Sequence, residues 1–221
     1  VEYAFGRFGG GIDGQALKAI LTNADEVETD LEKSNVNDFQ VDENISAAYT
    51  MLTMDIEDWR IITGVRYEGT TTESFGHSYN DETEELADIQ EETDYNHFLP
   101  SIQAKLALSE KSALRLAWTN SVVRPTFDQL SPGTYIEDNE AERGNPLLDP
   151  WESSNIDIGY ELYLGEASAF SAFAFYKDID NFIYEAVFED VDGFDELSTF
   201  TNGESASVLG LEISYSQQLS I

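Results

Sequence analysis

Two stretches of the chain alternate apolar and polar residues along their whole length. In Asn155–Leu164, residues Ile156, Ile158, Tyr160, Leu162 and Leu164 share one parity, against Asn155, Asp157, Gly159, Glu161 and Tyr163. In Val208–Leu219, Leu209, Leu211, Ile213, Tyr215 and Leu219 oppose Gly210, Glu212, Ser214, Ser216 and Gln218. Successive side chains of a strand point to opposite faces, so each stretch predicts a strand with one apolar and one polar face. Kept up over about ten residues, that pattern suits a membrane-spanning β-strand with lipid on one side and water on the other.

Three further stretches read the same way. Residues 112–124 set Leu114, Leu116, Trp118 and Val122 against Ala113, Arg115, Ala117, Thr119 and Ser121. Residues 58–69 set Trp59, Ile61, Val65 and Tyr67 against Arg60, Gly64, Arg66 and Glu68. In 96–108, Phe98, Ile102, Ala104, Leu106 and Leu108 oppose His97, Ser101, Gln103 and Lys105. With 153–164 and 206–220 they make five predicted strands of readable facing. Residues 44–55 and 167–178, the latter running on toward Phe188, are predicted strands whose facing stays open, because apolar residues occupy both parities. Residues 2–8 offer an eighth strand, and 14–22 a short helix with Leu17, Ile20 and Leu21 on one side.

The connections alternate in length. Ile56-Glu57-Asp58, Ser109-Glu110-Lys111 and Gly165-Glu166 are tight, whereas 70–95, 125–152 and roughly 189–205 are predicted as long loops. Short turns on one rim and long loops on the other are what an outer-membrane barrel shows. Tyr49, Trp59, Tyr67, Phe98, Trp118, Trp151, Tyr160, Tyr163, Tyr176 and Phe182 fall near strand ends, where interfacial girdles sit. The expected fold class is all-β: antiparallel transmembrane β-barrel strands, about seven or eight of a larger barrel, with long outward loops. Residues 1–221 are expected to form part of one barrel domain. In it, 1–43 supply a strand end and a long loop with the short helix, and 44–221 successive hairpins.

Composition changes this picture little. The 221 residues carry 44 acidic and 11 basic side chains, a formal charge of −33, and no cysteine. Such a balance argues against a nucleic-acid partner, which needs clustered Lys and Arg. The absence of cysteine removes disulfides, thiolate metal sites and cysteine nucleophiles together. Acid is concentrated in 73–94, which holds no Lys or Arg, and in 25–43, 137–152 and 185–196. These read as solvated loops; loop-bound Ca²⁺ is the alternative, although no EF-hand-like loop is present. No apolar run reaches the ~20 residues of a spanning helix. The chain opens at Val1 without the pattern of a signal peptide and ends at Ile221 inside an alternating run, so it is expected to be a fragment.

Catalytic chemistry has little to work with. The two histidines, His77 and His97, stand apart, and neither a Gly-x-Ser-x-Gly, a Walker loop nor a metal-binding His pair occurs. No enzymatic activity and no cofactor are expected.

The segment after residue 123 is distinctive: Arg124-Pro-Thr-Phe-Asp-Gln-Leu130, then Gly144-Asn-Pro-Leu-Leu-Asp-Pro-Trp-Glu-Ser-Ser-Asn155. Pro125 ends a strand by removing a ladder donor, and Gly144-Asn145-Pro146 is a turn signal. Followed by an alternating strand, this arrangement resembles the C-terminal barrel of TonB-dependent outer-membrane receptors. Phe175-Tyr-Lys-Asp-Ile-Asp-Asn-Phe-Ile183, Asn202-Gly-Glu-Ser-Ala-Ser-Val-Leu-Gly-Leu-Glu212, Tyr3-Ala-Phe-Gly-Arg-Phe-Gly-Gly10 and Phe98-Leu-Pro-Ser101 extend the likeness over nearly the whole chain.

The resemblance implies a barrel of roughly 22 strands plugged by an N-terminal domain, set in outer-membrane lipid and energised by TonB through a region this sequence does not contain. It implies a transported cargo, with an oligosaccharide favoured and a ferric siderophore as the alternative. Tyr135, Trp151 and Tyr184 are the aromatic residues expected to stack on sugar faces, and Arg143 the residue expected to hydrogen-bond hydroxyls or an anionic group. Two readings compete with a receptor fragment: an acidic, Ca²⁺-dependent soluble β binding module, and a complete eight-stranded barrel.

Overall fold

A computed structural model describes residues 18, 35–165 and 168–217. The strand expected at 2–8 and, apart from Lys18, the helix expected at 14–22 lie outside the described residues. The strands are β1 (Gln40–Ile56), β2 (Trp59–Asn80), β3 (Glu85–Ser109), β4 (Ser112–Val123), β5 (Thr134–Glu137), β6 (Glu140–Arg143), β7 (Trp151–Gly165), β8 (Ser168–Asp180), β9 (Ile183–Val191), β10 (Phe194–Asn202) and β11 (Ser205–Ser216).

Seven of them form the wall, in the order β1-β2-β3-β4-β7-β8-β11, each antiparallel to the next. They correspond to the seven predicted strands from 44–55 to 206–220. Directly paired residues share a face, so the register sorts every side chain. One rung runs Ile61, Ala104, Leu116, Ile158, Ala174, Leu211, and the next toward the outer rim runs Thr63, Ile102, Trp118, Ile156, Tyr176, Leu209. Large apolar residues on this face stand open, Leu209 at 80% and Leu211 at 68% exposure. A water-soluble sheet would cover such a band; lipid explains it.

The opposite face is the lumen. Its lower rung runs Asp55, Arg60, Lys105, Arg115, Gly159, Phe173, Glu212. Arg60 donates to Asp55 at 2.8 Å, and Arg115 reaches Glu161 at 2.8 Å. Charge is kept on the watered side, because an ion facing lipid would have no partner.

Pairing also settles the two strands of open facing. Tyr49 and Met51 of β1 lie opposite Arg66 and Gly64, hence in the lumen, as do Phe173 and Phe175 of β8. The aromatic girdle is accordingly smaller than expected. Trp59, Tyr67, Phe98, Trp118, Tyr160 and Tyr176 face lipid, with Tyr67 and Phe98 directly paired, whereas Tyr49, Trp151 and Tyr163 face the lumen.

The outer rim departs from the predicted long loops. Residues 70–95 are almost wholly strand: β2 and β3 continue as a hairpin closed by a turn at 81–84, with Glu84 in the left-handed region at φ 53°. Strand β8 stops at Asp180 instead of running on to Phe188, since Asn181 turns left-handed at φ 58° before β9 begins. The connections β4–β7 and β8–β11 each carry a hairpin, β5–β6 and β9–β10. β5 lies parallel to the end of β2, and β10 lies parallel to β6. The rim therefore continues the same sheet from the end of β2 through β5-β6-β10-β9. Large apolar side chains are buried here: Leu148 is 1% exposed, Leu130 and Leu197 3% each.

Candidate functional site

The rim sheet is held together by the residues of the distinctive sequence segment. Asn145 donates its backbone N–H to the Gln129 carbonyl at 2.7 Å and its side-chain amide to the Phe200 carbonyl at 3.0 Å. Its Oδ1 accepts from Leu147 N–H at 3.0 Å, an Asx turn that starts the re-entry. Thr93 donates its hydroxyl to the Pro146 carbonyl at 3.1 Å. Asn202 accepts from Asp149 N–H and donates to the Asp149 carbonyl, both at 2.9 Å, and also donates to the Asn181 carbonyl at 2.8 Å. Gly144 is required by crowding, since a Cβ there would press on the Gln129 and Ser131 carbonyls. The motif is thus a knot tying the β4–β7 connection to the β9–β10 hairpin.

Below the knot, on the lumen face, sits a charged cluster. Arg124, just past the end of β4, donates to the Glu68 carboxylate and to Thr70 Oγ1 at 3.3 Å, and its Nε lies 3.8 Å from Glu43. Arg66 pairs with the same Glu68. His97, 5% exposed, places Nε2 3.6 Å from Glu152 and packs edge-on to Tyr95 at 5.3 Å. Burial works against the charge on Arg124, but the hydrogen bond and attraction of Glu68 prevail and raise its pKa. The other histidine, His77, sits on the rim with Nδ1 3.0 Å from Asp88.

Two grooves open beside this framework. The outer one, about 450 Å³, is lined by Asp128, Tyr135, Glu142, Arg143 and Glu185 among others. It brings together two of the four predicted contact residues, Tyr135 and Arg143. Arg143 is oriented by Asp192 of the β9–β10 turn, at 2.8 Å. The second groove, about 380 Å³, runs down the lumen wall past Trp151, Ser121, Ser153, Asn155, Asp157 and Lys177. Tyr184 lines neither; it packs on Phe182 with ring centroids 5.6 Å apart. Glu142 and Glu185 were not singled out from the sequence, because nothing marks them among so many acids. Arg124 was visible as a base beside a proline at a strand end, but its partners lie 54 and more residues away. Among the described residues no group of three or more His, Asp or Glu side chains is placed to hold a metal ion.

The sequence profile of the outer membrane protein beta-barrel family matches residues 17–220. The chain belongs to that family. As an outer membrane protein beta-barrel it resides in the bacterial outer membrane, in keeping with its apolar outward band. Solved barrels share its fold. The Serratia marcescens hemophore receptor HasR superposes with a TM-score of 0.59 at 16% identity, over 78% of this chain and 31% of the receptor. The copper transporter OprC gives 0.63 at 17% identity, over 81% and 28%. The ferric-catecholate import receptor Fiu of E. coli K12 gives 0.60 at 17%, over 82% and 26%. This chain therefore spans less than a third of each of these barrel proteins. No curated protein sequence is close enough to match it. The outer-membrane barrel expected from the sequence is borne out by the family match and by the shared fold.

Proposed function

We propose that this chain is part of the barrel of a TonB-dependent uptake receptor, with 1–221 in one barrel domain and a hydroxyl-rich cargo, an oligosaccharide, as its substrate. The observation that carries the reading is the outer groove, where Tyr135 stands with Arg143, Glu142 and Glu185. An aromatic face offers stacking, the guanidinium donates to hydroxyl oxygens, and carboxylates accept from hydroxyls, so a concave site of this make-up suits a neutral polyol. Trp151 heads a second polar groove further down the wall and serves as the next contact along the path. Tyr184 stands outside both, and the proposed contact set is Tyr135, Arg143 and Trp151.

A ferric siderophore is the second reading, supported by the shared fold of a ferric-catecholate import receptor. Against it, an anionic chelate would approach a rim whose 73–94 segment has nine acidic residues and no Lys or Arg, and like charge slows encounter. The deciding experiment is calorimetry on the full-length receptor in detergent, with oligosaccharides and ferric siderophores titrated separately. Sugar binding weakened by Arg143→Ala and Trp151→Ala supports the proposal. Siderophore binding alone replaces the cargo.

A further inference from the structure

We infer that Arg124 is the positioning residue of the outer groove. Its hydrogen-bond and ion-pair partners Glu43, Glu68 and Thr70 stand outside the groove lining, yet it fixes the direction in which the chain leaves the wall to build that lining. Its side chain, 22% exposed, draws on carboxylates from two different strands, Glu43 of β1 at 17% and Glu68 of β2 at 10% exposure. One guanidinium thus staples the root of the β4–β7 connection across the lumen face of β1 and β2.

The path from the staple to the groove is short and held at each step. Pro125 is buried. Thr126 N–H donates to Gln129 Oε1 at 2.9 Å, and Leu130 N–H donates to the Thr126 carbonyl at 3.1 Å. Leu130 is then buried to 3% exposure, and Asp128 and Ser131 already line the groove. A turn this tight transmits a displacement of residue 124 to the lining without much loss.

Arg124 Nε is buried without a hydrogen-bond partner among the described residues. Arg124 Nη2 donates to both Glu68 and Thr70, and Nε lies 3.8 Å from Glu43. Lysine cannot substitute, because a single ammonium cannot hold Glu68 and Thr70 from one rigid donor while a second, Nε, faces Glu43. With residue 124 neutral, Glu43 loses the cation 3.8 Å away, and a half-buried carboxylate without its partner rearranges or draws in water.

The test is hydrogen exchange by mass spectrometry on the full-length receptor in detergent. Arg124→Gln and Arg124→Lys are compared with parent, and heat-modifiable migration monitors the barrel. The inference expects amide exchange across 126–148 to quicken at least tenfold in both variants while 112–123 stays as in the parent. It also expects Glu68→Gln to act in the same direction, with the double Arg124→Gln/Glu68→Gln variant showing less than the sum. Unchanged exchange at 126–148 in a folded Arg124→Lys barrel overturns it. If Arg124→Gln fails to fold, Arg124→Lys alone decides.

Because the groove's role as cargo site rests on the proposed function, affinity is measured separately. A tenfold loss of oligosaccharide binding with unchanged barrel melting supports positioning. Unchanged affinity despite quickened exchange overturns the positioning role. No sugar binding even in the parent sinks the cargo reading and leaves the exchange result to judge the staple.

Discussion

The ring of Phe173 lies across Gly159, its direct partner on the neighbouring strand, so closely that a Cβ at position 159 would fall inside it. Gly210 and Phe175 repeat the arrangement between β11 and β8. The glycine exposes backbone that the aromatic face then covers, and the pair pins the register. Gly159→Ala is expected to cost about 1–3 kcal/mol through overpacking. Gly165→Ala, with nothing within 4 Å of a new Cβ, should change stability little. Urea unfolding of the barrel in vesicles compares the two, and equal losses would show that the ring can step aside.

Leu211 and Glu212 are sequence neighbours on β11 that face lipid and lumen respectively. Leu211→Arg is expected to destabilise by about 2–4 kcal/mol, the range for a cation near the bilayer midplane. Glu212→Arg, in contact with water, should stay within about 1 kcal/mol. Folding yield into bilayers distinguishes them, and a reversed order would invert the facing of the whole sheet.

The Asn202 side chain bonds both connections of the rim knot, through Asp149 and Asn181. Asn202→Ala leaves backbone groups of both connections without their partner, at about 1–3 kcal/mol of local stability. Limited proteolysis should then cut within 125–150 and 181–204 together. Cleavage in only one of them would mean the connections are not coupled by this residue.

The Arg115–Glu161 pair on the lower lumen wall is only partly covered, with side chains 45% and 18% exposed. Glu161→Gln should therefore cost less than about 1 kcal/mol, and that small loss should shrink in high salt. A larger loss, measured by the same unfolding assay, would show the pair to be far better shielded than its exposure implies.

Where one strand face met lipid and the other water, alternation alone was sufficient. β7 and β11 are legible residue by residue, because each position reports its own solvent. β8 was not, since Phe173 and Phe175 are apolar lumen residues placed there to cover glycines on two other strands. The hairpin above residue 70 was hidden by its acids, although the β-branched run Thr70-Thr71-Thr72 favours a strand. Its inward residues Thr70, Thr72 and Ser74 are buried, at 3%, 3% and 1% exposure, beneath a rim layer that the local sequence does not announce.

The candidate site divides along the same line. Tyr135 and Arg143 are close in sequence and share a hairpin, so their meeting in one groove needed little beyond β5 and β6. Trp151 and Lys177 share the second groove only because β7 pairs with β8. By itself the sequence determined that this chain is a lipid-facing β-wall with short turns on one rim, since the period of two and the turn residues are local properties. Only the tertiary structure decided which residues meet: the acids that Arg124 joins, the glycines that β8 covers and the knot at Asn145 and Asn202. Those contacts join positions tens of residues apart, and no local pattern records them.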